Sequence, residues 1–148
     1  MKSFLFWQRW LFVVGIVIII SGLLLVFLSK TILFDLLNQS INPVFWDSKV
    51  VESNAIEFQK ILYGVLGATM AGWGVFLSFI VFYPFKNYEK WSWYCVVIGL
   101  LTWFILDTSI SYFYGVYINV IVNMVFLVMT LLPIVFTRKS FINKRTAA

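Results

Sequence analysis

Histidine is missing from this 148-residue chain, and cysteine occurs once, at Cys95. With no histidine and no second thiol there is no Cys/His metal constellation, no Ser–His or Cys–His nucleophile pair and no intrachain disulfide. Glycine-rich phosphate cradles of the GxxxxGK[ST] or GxGxxG type are absent as well. Charge is scarce: charged residues make up 11% of the chain, against about 25% in average soluble domains. Hydrophobic residues make up 62% and aromatic residues 20%. A soluble fold of this length has too little interior to hide so much apolar surface. The composition therefore predicts a single membrane domain. The net charge of +5 does not imply a nucleic-acid partner, because the basic residues flank apolar runs instead of clustering on a polar face. Membrane lipids are the expected partners, and no cofactor is expected.

Charges punctuate the sequence. Twenty uncharged residues separate Arg9 from Lys30, 25 separate Lys60 from Lys86, 16 separate Lys90 from Asp107, and 30 separate Asp107 from Arg138. A helix needs roughly 20 mainly apolar residues to cross about 30 Å of hydrocarbon, so spans are expected near 9–29, 59–83, 91–111 and 114–136. They should be helical, since lipid offers no partner for an open backbone. The first apolar run is longer than a secretory h-region and no A-x-A pattern follows it, which predicts an uncleaved signal anchor. The fold class expected is an all-α integral membrane four-helix bundle.

Orientation follows from the basic residues near the span ends. Lys2, Arg9, Lys86, Lys90, Arg138, Lys139, Lys144 and Arg145 fall on one side, with Glu89 as the only acid there. Lys30, Lys49 and Lys60 fall on the other, with Asp35, Asp47, Glu52, Glu57 and Asp107. That bias predicts cytoplasmic termini. Trp7, Trp10, Tyr83, Tyr88, Trp91, Trp93 and Tyr94 then gather at the inner interface, Pro84 stops the second helix, and residues 137–148 form a basic cytoplasmic tail. Between the first two spans, residues 31–58 make an outer-face segment. Ile32, Leu33, Leu36, Leu37 and Ile41 recur at helical spacing, which predicts an interfacial helix. Asn42-Pro43 should break it, Val44-Phe45-Trp46 offers a second apolar anchor, and Asn54 with Glu57 resembles a helix cap. The segment is either a lid over the bundle or a plain connector.

Two spans carry a marked pattern. In the second, Gly64, Gly67, Ala68, Ala71, Gly72, Gly74 and Ser78 share an arc of about 160°. Small residues let helices approach closely in lipid, so this face is expected to make a helix seam within the chain, a homodimer contact or the wall of a groove. In the fourth, Tyr112, Gly115, Asn119, Asn123, Thr130 and Pro133 lie within about 80° of one another on a helical wheel. Two asparagines one turn apart in an apolar helix need partners. They act either as glue between helices or as part of a ligand or proton path. Asp107 is the acid embedded in an apolar stretch, and such a carboxylate is read as functional with a named partner. A turn near Phe113 would bring Asp107 level with Asn119, with Asn123 one turn deeper. Tyr63, Tyr112, Asn119, Asn123 and Asp107 are expected to converge, with Trp103 and Trp73 as core or cavity residues. The alternative is that Asp107-Thr108-Ser109 ends the third helix, leaving a short span of 91–106. Cys95 is expected to be a small packing residue, with palmitoylation the alternative.

The block Tyr63-Gly64-Val65-Leu66-Gly67-Ala68-Thr69-Met70-Ala71-Gly72-Trp73-Gly74, together with Trp103-Phe104-Ile105-Leu106-Asp107-Thr108 and the Asn119/Asn123 pair, resembles a pattern in small uncharacterised four-span proteins of the bacterial inner membrane. The resemblance covers roughly residues 58–136 and implies a location there, but no activity, cofactor or ligand. Three functions fit the residues. One is a non-catalytic module that binds a lipid or small apolar molecule in an outward-facing polar pocket. The second is an accessory subunit docking a partner membrane protein through the Gly/Ala face of the second span. The third is a proton-coupled transporter acting as a homo-oligomer with Asp107 as its titrating group. One embedded acid without a basic or nucleophilic partner is a thin basis for an enzyme.

Overall fold

A computed structural model of the chain describes residues 2–27, 32–46 and 52–142. Among them the chain forms α1 (Lys2–Phe27), α2 (Ile32–Phe45), α3 (Ser53–Ile80), a π turn (Val81–Phe85), α4 (Lys90–Phe113) and α5 (Tyr117–Ile142), and no strand. Four stretches are long and apolar enough to cross a membrane: Ser3–Phe27, Ser53–Phe85, Lys90–Phe113 and Tyr117–Ile142. The shortest has 24 residues, about 36 Å at 1.5 Å per residue, against a hydrocarbon core of about 30 Å. Their outward surfaces are apolar too, with Phe76, Phe79, Ile98, Ile105 and Ile121 exposed. A helix that is apolar on every side is one made for lipid or a deep core.

The bundle is not packed in chain order. α3 lies against α1, α1 against α5, and α5 against α4, while α3 and α4, though joined by the short π turn, pack more loosely and meet through side chains such as Trp73 and Trp103. The α1–α3 seam is antiparallel and is set by glycine. A Cβ on Gly67 would stand 2.5 Å from the carbonyl oxygen of Gly22, and one on Gly22 would stand 2.6 Å from the Ala71 nitrogen. One on Gly74 would lie 2.8 Å from the Ile19 nitrogen. Gly15 faces Ser78, whose hydroxyl donates at 2.8 Å to the Gly74 carbonyl of its own helix. Here backbone meets backbone, as close helix association in lipid requires.

Proline positions the other contacts. Pro133, inside α5, has no N–H to give the Met129 carbonyl four residues earlier. That carbonyl instead accepts from the Trp10 indole of α1 at 2.9 Å, and Trp93 of α4 donates to the Ile134 carbonyl at 3.1 Å. Pro84 falls where α3 widens into the π turn, as expected where the helical ladder is interrupted. The buried Gln8 of α1 donates to the Val81 carbonyl there at 3.1 Å. Tyr88 then turns the chain in the left-handed region (φ 62°), and its ring stacks on Phe4 with centroids 4.2 Å apart. With Phe85 and Phe141 these rings close the end of the bundle that carries the start of α1 and the end of α5.

α4 runs on through Phe113, so of the two readings of Asp107 the one inside a helix is the one seen. Three other local expectations change. Asn42-Pro43 does not break α2, because Pro43 falls in its last turn, where the helix continues only to Phe45. α3 begins at Ser53 after Glu52, whose side chain makes no cap bond, so Asn54 is already inside the helix and cannot cap it. α5 continues to Ile142, which makes the first half of the supposed tail helical. Residues 143–148, and the charges Lys30, Asp47 and Lys49, lie outside the described residues.

Candidate functional site

The separation of α3 from α4 leaves a cleft of about 260 Å³. Leu66, Met70 and Trp73 of α3 form one wall, and Leu100, Trp103 and Asp107 of α4 form the other. Asn119, Asn123, Phe126 and Thr130 of α5 make the floor, with Ile18 of α1 behind them. Trp73 and Trp103 face each other across the gap, centroids 6.1 Å apart and planes inclined by 35°. A smaller space of about 100 Å³ shares Trp73, Leu100 and Thr130 and continues past Gly99 and Cys95 toward the π turn. Cys95 is therefore exposed at a cavity wall and not tucked into the core.

The turn from α4 to α5 brings the polar groups together. Gly115 takes φ +74°, the Gly115 N–H bonds the Tyr112 carbonyl at 3.1 Å and the Val116 N–H bonds the Ser111 carbonyl at 2.8 Å. This is a Schellman stop, for which a residue without Cβ is suited. It folds α5 back along α4, so that Asp107, Thr108 and Ser111 meet Asn119 and Asn123. Asn123, only 2% exposed, must find partners for its amide. It donates to Asp107 Oδ2 at 2.8 Å and to Thr108 Oγ1 at 3.2 Å. Asn119 donates to Ser111 Oγ at 2.7 Å and reaches Asp107 Oδ2 at 3.2 Å and Oδ1 at 3.4 Å. Among the described residues no cation pairs with Asp107.

Tyr63 and Tyr112 are placed elsewhere. The Tyr63 hydroxyl contacts Asn38 Oδ1 of α2 at 3.5 Å, one turn from Gln59, whose amide donates to Asn42 Oδ1 at 2.8 Å. Tyr112 is exposed and meets Tyr117 edge to face at 6.0 Å. At its other end α2 sets Phe45 6.2 Å from Tyr114 and Val44 over Gly115. The helix thus bridges α3 to the α4–α5 turn. Of the small-residue arc, Gly67, Ala71, Gly74 and Ser78 meet α1, whereas among the described residues nothing stands where a Cβ on Gly64 or Gly72 would go, and Ala68 is exposed.

Ser111 was legible as a fourth polar group, being one helical turn from Asp107 on the same face. Asn38 and Asn42 carried no such signal, because their partners are set by where α2 lies. Among the described residues no group of acidic or cysteine side chains could hold a metal ion. The arrangement is a carboxylate held by two amides, which the Thr108 and Ser111 hydroxyl oxygens share, at the edge of an aromatic-walled apolar cleft. No protein-family model, curated protein or solved structure matches this chain.

Proposed function

We propose that this protein is a non-catalytic membrane module that binds a lipid or small apolar molecule in the cleft between α3 and α4. The observation that carries this reading is the cleft's mixed lining, two facing indoles and a methionine beside a convergent set of polar groups, the usual make-up of a small-molecule site. Because α3 and α4 meet only loosely beside the Trp73–Trp103 contact, the ligand reaches the cleft sideways from the bilayer, and α2, lying in the interface as a lid, covers its outer end. Both termini face the cytoplasm of a bacterial inner membrane. This orientation is supported by Arg9, Lys86, Lys90, Arg138 and Lys139, which all belong to the end closed by Phe4, Phe85 and Phe141.

Native mass spectrometry of protein extracted in its own lipids tests the reading. The wild-type chain should carry a discrete bound mass, and Met70→Trp, which fills the cleft, should release it while helicity is unchanged. A mass that survives Met70→Trp would mean the cleft is not the site.

A second reading rests on a different observation. Among the described residues a Cβ on Gly64 or Gly72 would meet nothing within 4 Å, and exposed Ala68 lies between them at four-residue spacing. This open stripe suits a partner helix or a second copy of the chain. In that case Gly64→Leu with Gly72→Leu should abolish co-purification of a partner or shift the oligomeric state. Unchanged assembly in the double variant removes this reading.

A further inference from the structure

The hydrogen bonds around Asp107 do not satisfy it evenly. A carboxylate offers about four acceptor sites on two oxygens, and each asparagine amide has two hydrogens to give. Asn123 uses both of its hydrogens, on Asp107 Oδ2 at 2.8 Å and Thr108 Oγ1 at 3.2 Å. Asn119 has three acceptors in reach and only two hydrogens. The shortest contact is Ser111 Oγ at 2.7 Å, then Asp107 Oδ2 at 3.2 Å, and last Oδ1 at 3.4 Å. Oδ2 is therefore well supplied, and Oδ1 is left with the poorest share of one donor. Asp107 also lines the cleft, whose wall holds neither Lys nor Arg, so amide donors are its partners there and no cation faces it.

The same cleft presents the facing rings of Trp73 and Trp103. Indole faces attract cations, most strongly where water is excluded. A carboxylate oxygen wanting a donor, a wall without a cation and two indoles make one complementary shape. We infer that the ligand is a protonated amine on an apolar body, its nitrogen donating to Asp107 Oδ1 and lying against the Trp73–Trp103 pair. The inference rests on the binding reading above and adds the ligand's chemical class. At about 260 Å³ the cleft falls just below the roughly 300–1,000 Å³ of typical ligand sites. It holds the amine and the first part of the apolar body, and the remainder lies between α3 and α4 in the lipid. A carboxylate or phosphate head would meet the Asp107 charge at close range and be repelled.

The experiment uses the full chain in nanodiscs of digalactosyldiacylglycerol, a neutral lipid without an amine. Dodecylammonium, dodecanol and dodecanoate are offered at neutral pH, and binding is corrected for uptake by empty discs. Dodecylammonium should be retained about tenfold more tightly than dodecanol, the scale of one charge-assisted hydrogen bond, and dodecanoate should not be retained. Asp107→Asn should erase the preference while dodecanol still binds, and Trp73→Leu should reduce it several-fold. Equal retention of dodecylammonium and dodecanol by the wild-type protein overturns the amine but leaves the cleft reading standing. A preference for dodecanoate does the same. Failure of all three probes to exceed empty discs removes the cleft reading and the amine with it. The wild-type comparison needs no variant to fold. Adding phosphatidylethanolamine to the discs then separates two sources of the same chemistry: competition marks a lipid headgroup, and its absence a free amine.

Discussion

Gly67 and Gly72 stand five residues apart on one helix of one apolar chain, yet alanine at each should act in opposite directions. At Gly67 the new Cβ would lie 2.5 Å from the Gly22 carbonyl oxygen and 2.9 Å from Leu25 Cβ. Ordinary contact begins at 3.4 Å, so the α1–α3 seam must open by about 0.9 Å there to reach normal carbon–oxygen separation. The obstacle is backbone, which cannot rotate away as a side chain would. Separating two helices that otherwise touch along Gly15, Gly22, Gly67 and Gly74 forfeits contact along the whole seam, and the cost should be about 1–3 kcal/mol, the usual penalty of overpacking. At Gly72 nothing lies within 4 Å of the added methyl. There alanine should be neutral or stabilising by up to about 1 kcal/mol, through its better helix propensity. The measurement is unfolding in mixed micelles by increasing SDS, followed by far-ultraviolet circular dichroism, for the wild-type chain and both variants. Midpoints for Gly67→Ala and Gly72→Ala that agree to within about 0.5 kcal/mol would refute the seam as described. A destabilised Gly72→Ala would point instead to an assembly in which that face is covered.

Two other perturbations test how the helices are held. Trp10→Phe removes the donor to the Met129 carbonyl and should cost about 1 kcal/mol in the same assay. In a Pro133→Ala background, where the helix supplies its own N–H to that carbonyl, the same change should cost less, and a double-mutant cycle with no coupling would show that the proline does not create the need for Trp10. Asn123→Leu deletes the bonds to Asp107 and Thr108. At about 0.6 kcal/mol per bond between membrane helices it should lose roughly 1 kcal/mol of stability, together with the bound mass seen by native mass spectrometry. Full retention of that mass would separate the polar cluster from ligand binding.

Much of the candidate site could be read from residue order alone. Asp107, Asn119 and Asn123 belong to consecutive helices joined by a tight turn, so their meeting depends only on helical period and on where the chain reverses. Gly115 marks that reversal. Tyr63 and Tyr112 failed the same reasoning because depth along a helix does not fix which way a side chain points. Tyr63 is drawn to Asn38 of α2, and Tyr112 faces outward beside Tyr117. The end of α4 was ambiguous because Asp107-Thr108-Ser109 can either cap a helix or continue it. Two hydrogen-bonding partners inside the bundle, Asn119 and Asn123, make continuation possible.

Sequence by itself determined the membrane class, the four long helices and the polar hairpin of α4 and α5, since each depends on local composition or on residues near in the chain. Tertiary structure alone decided that α3 packs closely on α1 and only loosely on α4, which half of the glycine face is buried, and that α2 reaches from Asn38 and Asn42 to the α4–α5 turn. The physical reason is that in lipid every apolar helix face is equally content with a neighbour or with acyl chains. Which faces meet is settled by shape, at Gly22 against Gly67 and at Trp10 against the carbonyl freed by Pro133. Those complementarities join residues far apart in the chain, and helical periodicity marks a small-residue face without naming the helix that meets it.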